Sequence, residues 1–136
     1  MKKISFDSGV QSYKLGDGVL RFNPGDPNVY ARFMEGAEKL RAVEQELANT
    51  PEEPLAALRS ADRQMKEVLN WVFGPGNDFE SMLGGVNLLA VAENGERVVT
   101  NLFAALEPIL VAGAEACAGA AAEAAVQKAQ ARREAR

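Results

Sequence analysis

The sequence predicts an α+β fold, mainly α: an N-terminal β-hairpin of two or three short strands packed on a helical bundle of about four helices. Three observations predict it. Apolar residues alternate near the start, in KISF, QSYKL and GVLRF. From Pro27 onward they recur at helical spacing instead. The closing stretch is dominated by alanine, the residue with the best helix propensity.

The hairpin unit spans residues 2–22, with Gln11–Leu15 and Val19–Phe22 as its two strands. Tyr13 and Leu15 share one face, as do Leu20 and Phe22. Gly16-Asp17-Gly18 is the turn, because glycine accepts a positive φ at no steric cost. Lys2–Phe6, in which Ile4 and Phe6 alternate, is expected to add a third strand or to extend the first. An isolated hairpin is marginal in water, so the unit must pack on something.

A first helix is expected over 27–49. Asp26 is a good N-cap, and Pro27 suits the first helical position, where a missing N–H costs nothing. Tyr30, Phe33, Ala37, Leu40 and Leu47 make the apolar stripe. A second helix is expected over 51–73, with Thr50 as cap, Pro51 at the first position and Glu52 and Glu53 favouring the N-terminal dipole. Gly74-Pro75 stops it. Asp78 starts a further helical stretch over 78–94, interrupted at Gly84-Gly85 and ended by Asn94-Gly95. VNLLAVAEN within it is ambiguous, with a period that favours a short helix. A fourth helix is expected over 96–110, and Pro108 within it implies a kink or break near Leu106.

One domain thus covers 1–110, and 111–136 is an alanine-rich helical C-terminal extension whose end frays. A chain of 136 residues suits one domain. The net charge of −4 argues against a nucleic-acid partner. MKKISFDSG has no apolar core of a signal peptide, and Glu107, Pro108 and Glu115 interrupt the most apolar stretch, which reads as a buried helix rather than a membrane span. A cytoplasmic setting is expected.

The catalytic inventory is thin. There is no histidine, which removes the commonest general base and transition-metal ligand. The lone cysteine, Cys117, sits among alanines and reads as a small packing residue. GDGVL and GPGND are turns and match neither phosphate-loop nor dinucleotide fingerprints. Asp17, Asp26, Asp78, Glu93 and Glu96 lack the spacing of a calcium loop. No enzyme activity, cofactor or metal is expected. Arg132, Arg133 and Arg136 read as a solvated tail favoured by the helix dipole. Trp71 and Phe73 either close the core at the end of the second helix or anchor a partner. With Phe79 they form the candidate partner-binding set, gathered about a Gly/Pro turn.

The opening hairpin, the FNPGDPNVYARF junction and ADRQMKEVLNWVFGPGNDFESMLGG together resemble small phage and prophage proteins of Gram-positive bacteria, of the tail assembly chaperone type. In that group a short β-unit leads through an F-N-P-x-D-P junction into a helix, and a second helix ends near a Gly-rich loop. The matching residues are Phe22, Asn23, Pro24, Asp26 and Pro27, then Phe73, Asp78 and Phe79. The resemblance covers Lys2 to Leu110 and not the alanine-rich tail. It implies a non-enzymatic chaperone in the bacterial host cytoplasm that binds the tape-measure protein and brings the major tail protein to it. The alternative is a structural phage component, such as a tail-completion or head–tail connector protein. The alanine and glycine surplus after Val111 and the apolar face of Leu102–Leu110 add an expectation of a homo-oligomer.

Overall fold

The computed structural model describes residues 1–49 and 53–134. A two-stranded antiparallel hairpin leads into four helices. Strand β1 is Gln11–Leu15 and strand β2 is Gly18–Phe22, paired from Gln11 opposite Phe22 to Leu15 opposite Gly18. Gly16 takes the positive φ, 57°, that the tight loop needs. Leu20 and Phe22 are buried, and Tyr13 and Leu15 pack beside them on the same face. The hairpin thus turns one face to the helices, as its marginal stability alone requires. The expected third strand is absent: Lys2–Phe6 carries no strand pairing, and Ile4 and Phe6 are exposed.

Helix α1, Pro27–Ala48, begins as its sequence signals predict. The Asp26 carboxylate accepts from the Asn28 N–H at 2.9 Å, and Pro27 occupies the first turn. Val29, Phe33, Gly36 and Leu40 form its buried stripe.

Helix α2 is Pro54–Phe73 and starts later than expected. Proline belongs in a helix's first turn, and it disfavours helical backbone in the residue before it. Pro54 therefore sets the start, with Glu53 before it in the left-handed region at φ 54°. The expected Thr50 cap, Pro51 and Glu52 lie outside the described residues. Gly74, at φ 89°, closes the helix and donates to the Asn70 carbonyl at 2.9 Å.

Of the helical stretch expected over 78–94, only the first part is formed, with Asp78 as its N-cap. Helix α3 is only Phe79–Met82, and Gly84 and Gly85 both take positive φ directly after it. Residues 86–97 form turns and a single bridge between Val91 and Arg97. Leu88 and Leu89 are buried from this irregular backbone, so an apolar run with a helical period fills the core without a helix.

Helix α4 runs unbroken from Val98 to Glu134 and joins the expected fourth helix to the extension. It continues through Pro108. The carbonyl that loses its donor there belongs to Ala104, an exposed residue. Val99, Leu102, Leu106 and Leu110 pack on the body, and α1 packs against both α2 and α4. Farther along, Gly113 crosses the Pro24–Gly25 turn.

Candidate partner-binding site

Trp71, Phe73 and Phe79 do not form one surface. Trp71 and Phe73 are two positions apart on α2, which points them to opposite sides of the helix. Trp71 faces outward at 41% exposure, and the Lys39 ammonium of α1 lies 4.0 Å from its ring centroid. Phe73 and Phe79 face inward and are buried. Their rings are 5.6 Å apart; Phe73 meets Phe22 edge-on at 4.9 Å, and Phe22 stacks on Tyr13 at 5.0 Å. This aromatic row fastens the hairpin to α2 and α3. Of the three, only Trp71 is exposed on the folded chain.

The Gly/Pro turn after α2 is fixed rather than open. Asn77 is 6% exposed and serves both neighbours. Its Oδ1 accepts from the Arg21 N–H at 2.9 Å, and its Nδ2 donates to the carbonyls of Arg21 at 2.8 Å and Phe73 at 3.0 Å. The side chain acts as a one-residue strand on the outer edge of β2 and caps the end of α2. On the other side of that end, Arg32 Nε donates to the Val72 carbonyl at 2.9 Å.

A polar ladder along α2 holds the irregular segment that follows α3. Leu58, Asp62, Lys66 and Asn70 stand four residues apart, on one side of the helix. Asn87 Nδ2 donates to the Leu58 carbonyl at 3.4 Å, and Asp62 accepts from the Leu88 N–H at 2.8 Å. Asn70 accepts from the Phe79 N–H at 2.9 Å. Lys66, only 3% exposed, pairs with Asp62 at 2.9 Å and with Glu80. Burial pushes the Lys66 pKa down, but the hydrogen bonds to Glu80 and Asp62 and their charges outweigh it and hold the pKa above the ordinary lysine value. The group is a fixed ammonium, the reverse of a nucleophilic lysine. It lines a cleft of about 590 Å³ with Arg59 and Arg63 near it. Among the described residues no cluster of three metal-ligating side chains occurs.

Apolar surface is also exposed on the helices. One such region is a groove of about 400 Å³ between α1 and α4, lined by Ala37, Leu40, Val99 and Phe103, with Glu44 and Glu107 beside it. Phe103 stacks on Phe33 there at 4.9 Å. Another is α4 past the body: every described residue from Ala118 to Glu134 is exposed. This helix is also long and apolar enough to cross a membrane by length and composition alone.

No family model matches the chain, and no curated protein or solved structure matches it either.

The residues that sequence reasoning passed over are Asn77, Lys66 and Gly113. The i, i+4 run Asp62–Lys66–Asn70 was a signal for a ladder, since such spacing puts side chains on one face. Nothing local marks Asn77 or Gly113, because their partners are distant in sequence.

Proposed function

We propose that this chain is a non-enzymatic assembly chaperone that binds a helical client, in the manner of phage tail assembly chaperones. The client would be a tape-measure protein, with the major tail protein as second partner. The observation that carries the reading is α4: 37 residues long, its apolar stretch is only 6% buried. A soluble monomer rarely leaves a large apolar surface unpaired without using it. Amphipathic client helices bind such surfaces through apolar anchors.

The resemblance over Lys2 to Leu110 supports the tail assembly setting. A protein-binding role suits α4 better than a membrane span. Its hydropathy comes largely from alanine, and Glu115 and Glu123 would place two carboxylates in hydrocarbon. The polar cleft around Lys66 fits the same reading, because its buried ammonium already has two carboxylate partners within the chain.

The test is co-expression of the full chain with a tape-measure fragment. The fragment is expected to stay soluble and to co-purify, in a complex that changes little from low to high salt. Apolar anchors give that result, since exposed charge pairs contribute little and are screened. A fragment equally insoluble with and without this chain would favour the structural-component reading.

A further inference from the structure

The segment before the hairpin has no role in the fold described so far. Residues Met1 to Ser8 are exposed throughout. Ile4 and Phe6 are 86% and 79% exposed, although both are large apolar side chains. Among the described residues, no hydrogen bond reaches Met1 to Phe6, and Lys3 has no ion pair. The segment is tied to the body only farther along. Asn23 Nδ2 donates to the Ser8 carbonyl at 3.0 Å, and the Gly9 N–H donates to the Asp7 carboxylate at 2.8 Å.

The sequence of this segment is complementary to itself when reversed. Lys3-Ile4-Ser5-Phe6-Asp7 reads cation, apolar, serine, apolar, anion. We propose that it is a self-association strand: Lys3–Asp7 pairs antiparallel with Lys3–Asp7 of a second copy, with Ser5 on the two-fold axis.

In that register Lys3 lies opposite Asp7 of the second copy, at both ends of the pair. Ile4 lies opposite Phe6 of the second copy, also twice. Directly opposed residues point to the same face of an antiparallel pair, so four apolar side chains gather on one face. Lys3, Ser5 and Asp7 take the other. Every second residue of the segment, whose backbone groups have no partner among the described residues, gains hydrogen bonds across the pair. A two-fold pairing of this kind closes on itself and stops at the dimer. A shift by one residue that sets Lys3 against Phe6 brings Lys2 opposite Asp7 and keeps two ion pairs, but it puts Ile4 and Phe6 of the two copies on opposite faces, so the shared apolar face selects the register.

The occupant is a second copy because the segment's own reverse supplies both halves of the pattern, cation against anion and apolar against apolar. Asp7 can serve the pair without giving up its present bond. Its Oδ1 accepts from Gly9, and its other oxygen remains available to a lysine.

The experiment is disulfide trapping in the full chain, with Cys117→Ser as background. Opposed residues on an antiparallel pair have Cα atoms about 4.5–5.5 Å apart, within disulfide reach. Ser5→Cys should therefore form a covalent dimer under mild oxidation. In the proposed register two copies of residue 2 lie about 20 Å apart along the strands, so Lys2→Cys should crosslink at least roughly tenfold more slowly. In the Ser5→Cys protein, Lys3→Asp or Asp7→Lys should each slow trapping by about fivefold, because each sets like charges opposite one another. The combined Lys3→Asp, Asp7→Lys protein should restore it. These positions lie outside the core, and circular dichroism identical to the parent's checks that the fold is kept. Equal trapping at positions 2 and 5 would overturn the pairing. So would a double charge swap that fails to restore it, or a Ser5→Cys protein that stays monomeric.

Discussion

Gly113 of α4 lies against the Pro24 carbonyl so closely that a Cβ at Gly113 would stand 1.8 Å from the oxygen. The same Cβ would be 2.4 Å from the Pro24 carbonyl carbon and 3.1 Å from the Gly25 nitrogen. All three neighbours are backbone and cannot swing aside. Helix α4 can cross the junction between the hairpin and α1 only because this position has no side chain.

A matched pair of substitutions tests that crossing. Gly113→Ala should destabilise the protein by about 1–3 kcal/mol, since helix or turn must move apart. Gly119→Ala, six residues on in the same helix, meets nothing within 4 Å. It should stabilise by about 0.5–1 kcal/mol through helix propensity alone. Denaturant melts of both variants check the prediction. Equal effects would mean that the crossing contributes nothing.

The hairpin and α1 were legible in the sequence because their signals are local. Gly16 sits where the turn needs a positive φ, and Asp26-Pro27 carries a complete helix start. The extent of the other elements depended on distant partners. Leu88 and Leu89 carry a helical period, yet Asp62 holds the Leu88 N–H and successive glycines precede them. Lys2–Phe6 alternates as a strand should, but no strand among the described residues pairs with it. A break was one of the two outcomes expected from Pro108, yet the helix continues through it, and the residue whose carbonyl loses its donor, Ala104, is exposed. The placement of the candidate partner set was not legible for the same reason. Aromatic character and nearness to a turn do not reveal that Phe73 and Phe79 stack toward the hairpin while Trp71 faces solvent.

Those three aromatics should separate cleanly on substitution. Phe73→Ala removes a buried ring from the row that holds the hairpin and should cost about 3–5 kcal/mol. Trp71→Ala should cost about 1 kcal/mol or less, the loss of an exposed cation–π contact with Lys39. If Trp71 anchors a client, the same variant should weaken that complex by about 1–2 kcal/mol. Thermal melts measure the first two effects and titration with the client fragment measures the third. A Trp71→Ala protein with unchanged client affinity would take Trp71 out of the binding surface.

Asn77 should prove more important than its place in a Gly/Pro turn suggests. Its amide makes three hydrogen bonds to backbone groups of β2 and α2. Asn77→Ala leaves the Arg21 N–H and carbonyl without that partner and should cost about 2–3 kcal/mol. Asn77→Asp keeps the acceptor for the Arg21 N–H but faces two carbonyls with a carboxylate, so it should be at least as damaging. Equilibrium unfolding of both variants is the measurement. An Asn77→Asp protein as stable as the parent would show that the two carbonyls are served by water.

The Lys66 site predicts a loss of stability at alkaline pH. The folded-state pKa of Lys66 is raised: burial opposes this, but the bonds and charges of Glu80 and Asp62 prevail. A group with a raised folded pKa binds its proton more tightly in the folded than in the unfolded chain. Its contribution is therefore fully present below the unfolded lysine value, about 10.4, and is lost as pH climbs through the folded value. Stability should fall between pH 9 and pH 12, as the ammonium between the two carboxylates is neutralised. Lys66→Met removes this one titration and leaves every other group common to both proteins. The variant should be less stable near neutrality, because the partly buried Asp62 loses its cation, yet its stability should change less across the alkaline range. Urea melts of both proteins at several pH values from 7 to 12 give the comparison. Parallel pH profiles for parent and variant would show that Lys66 is not held by its two carboxylates in solution.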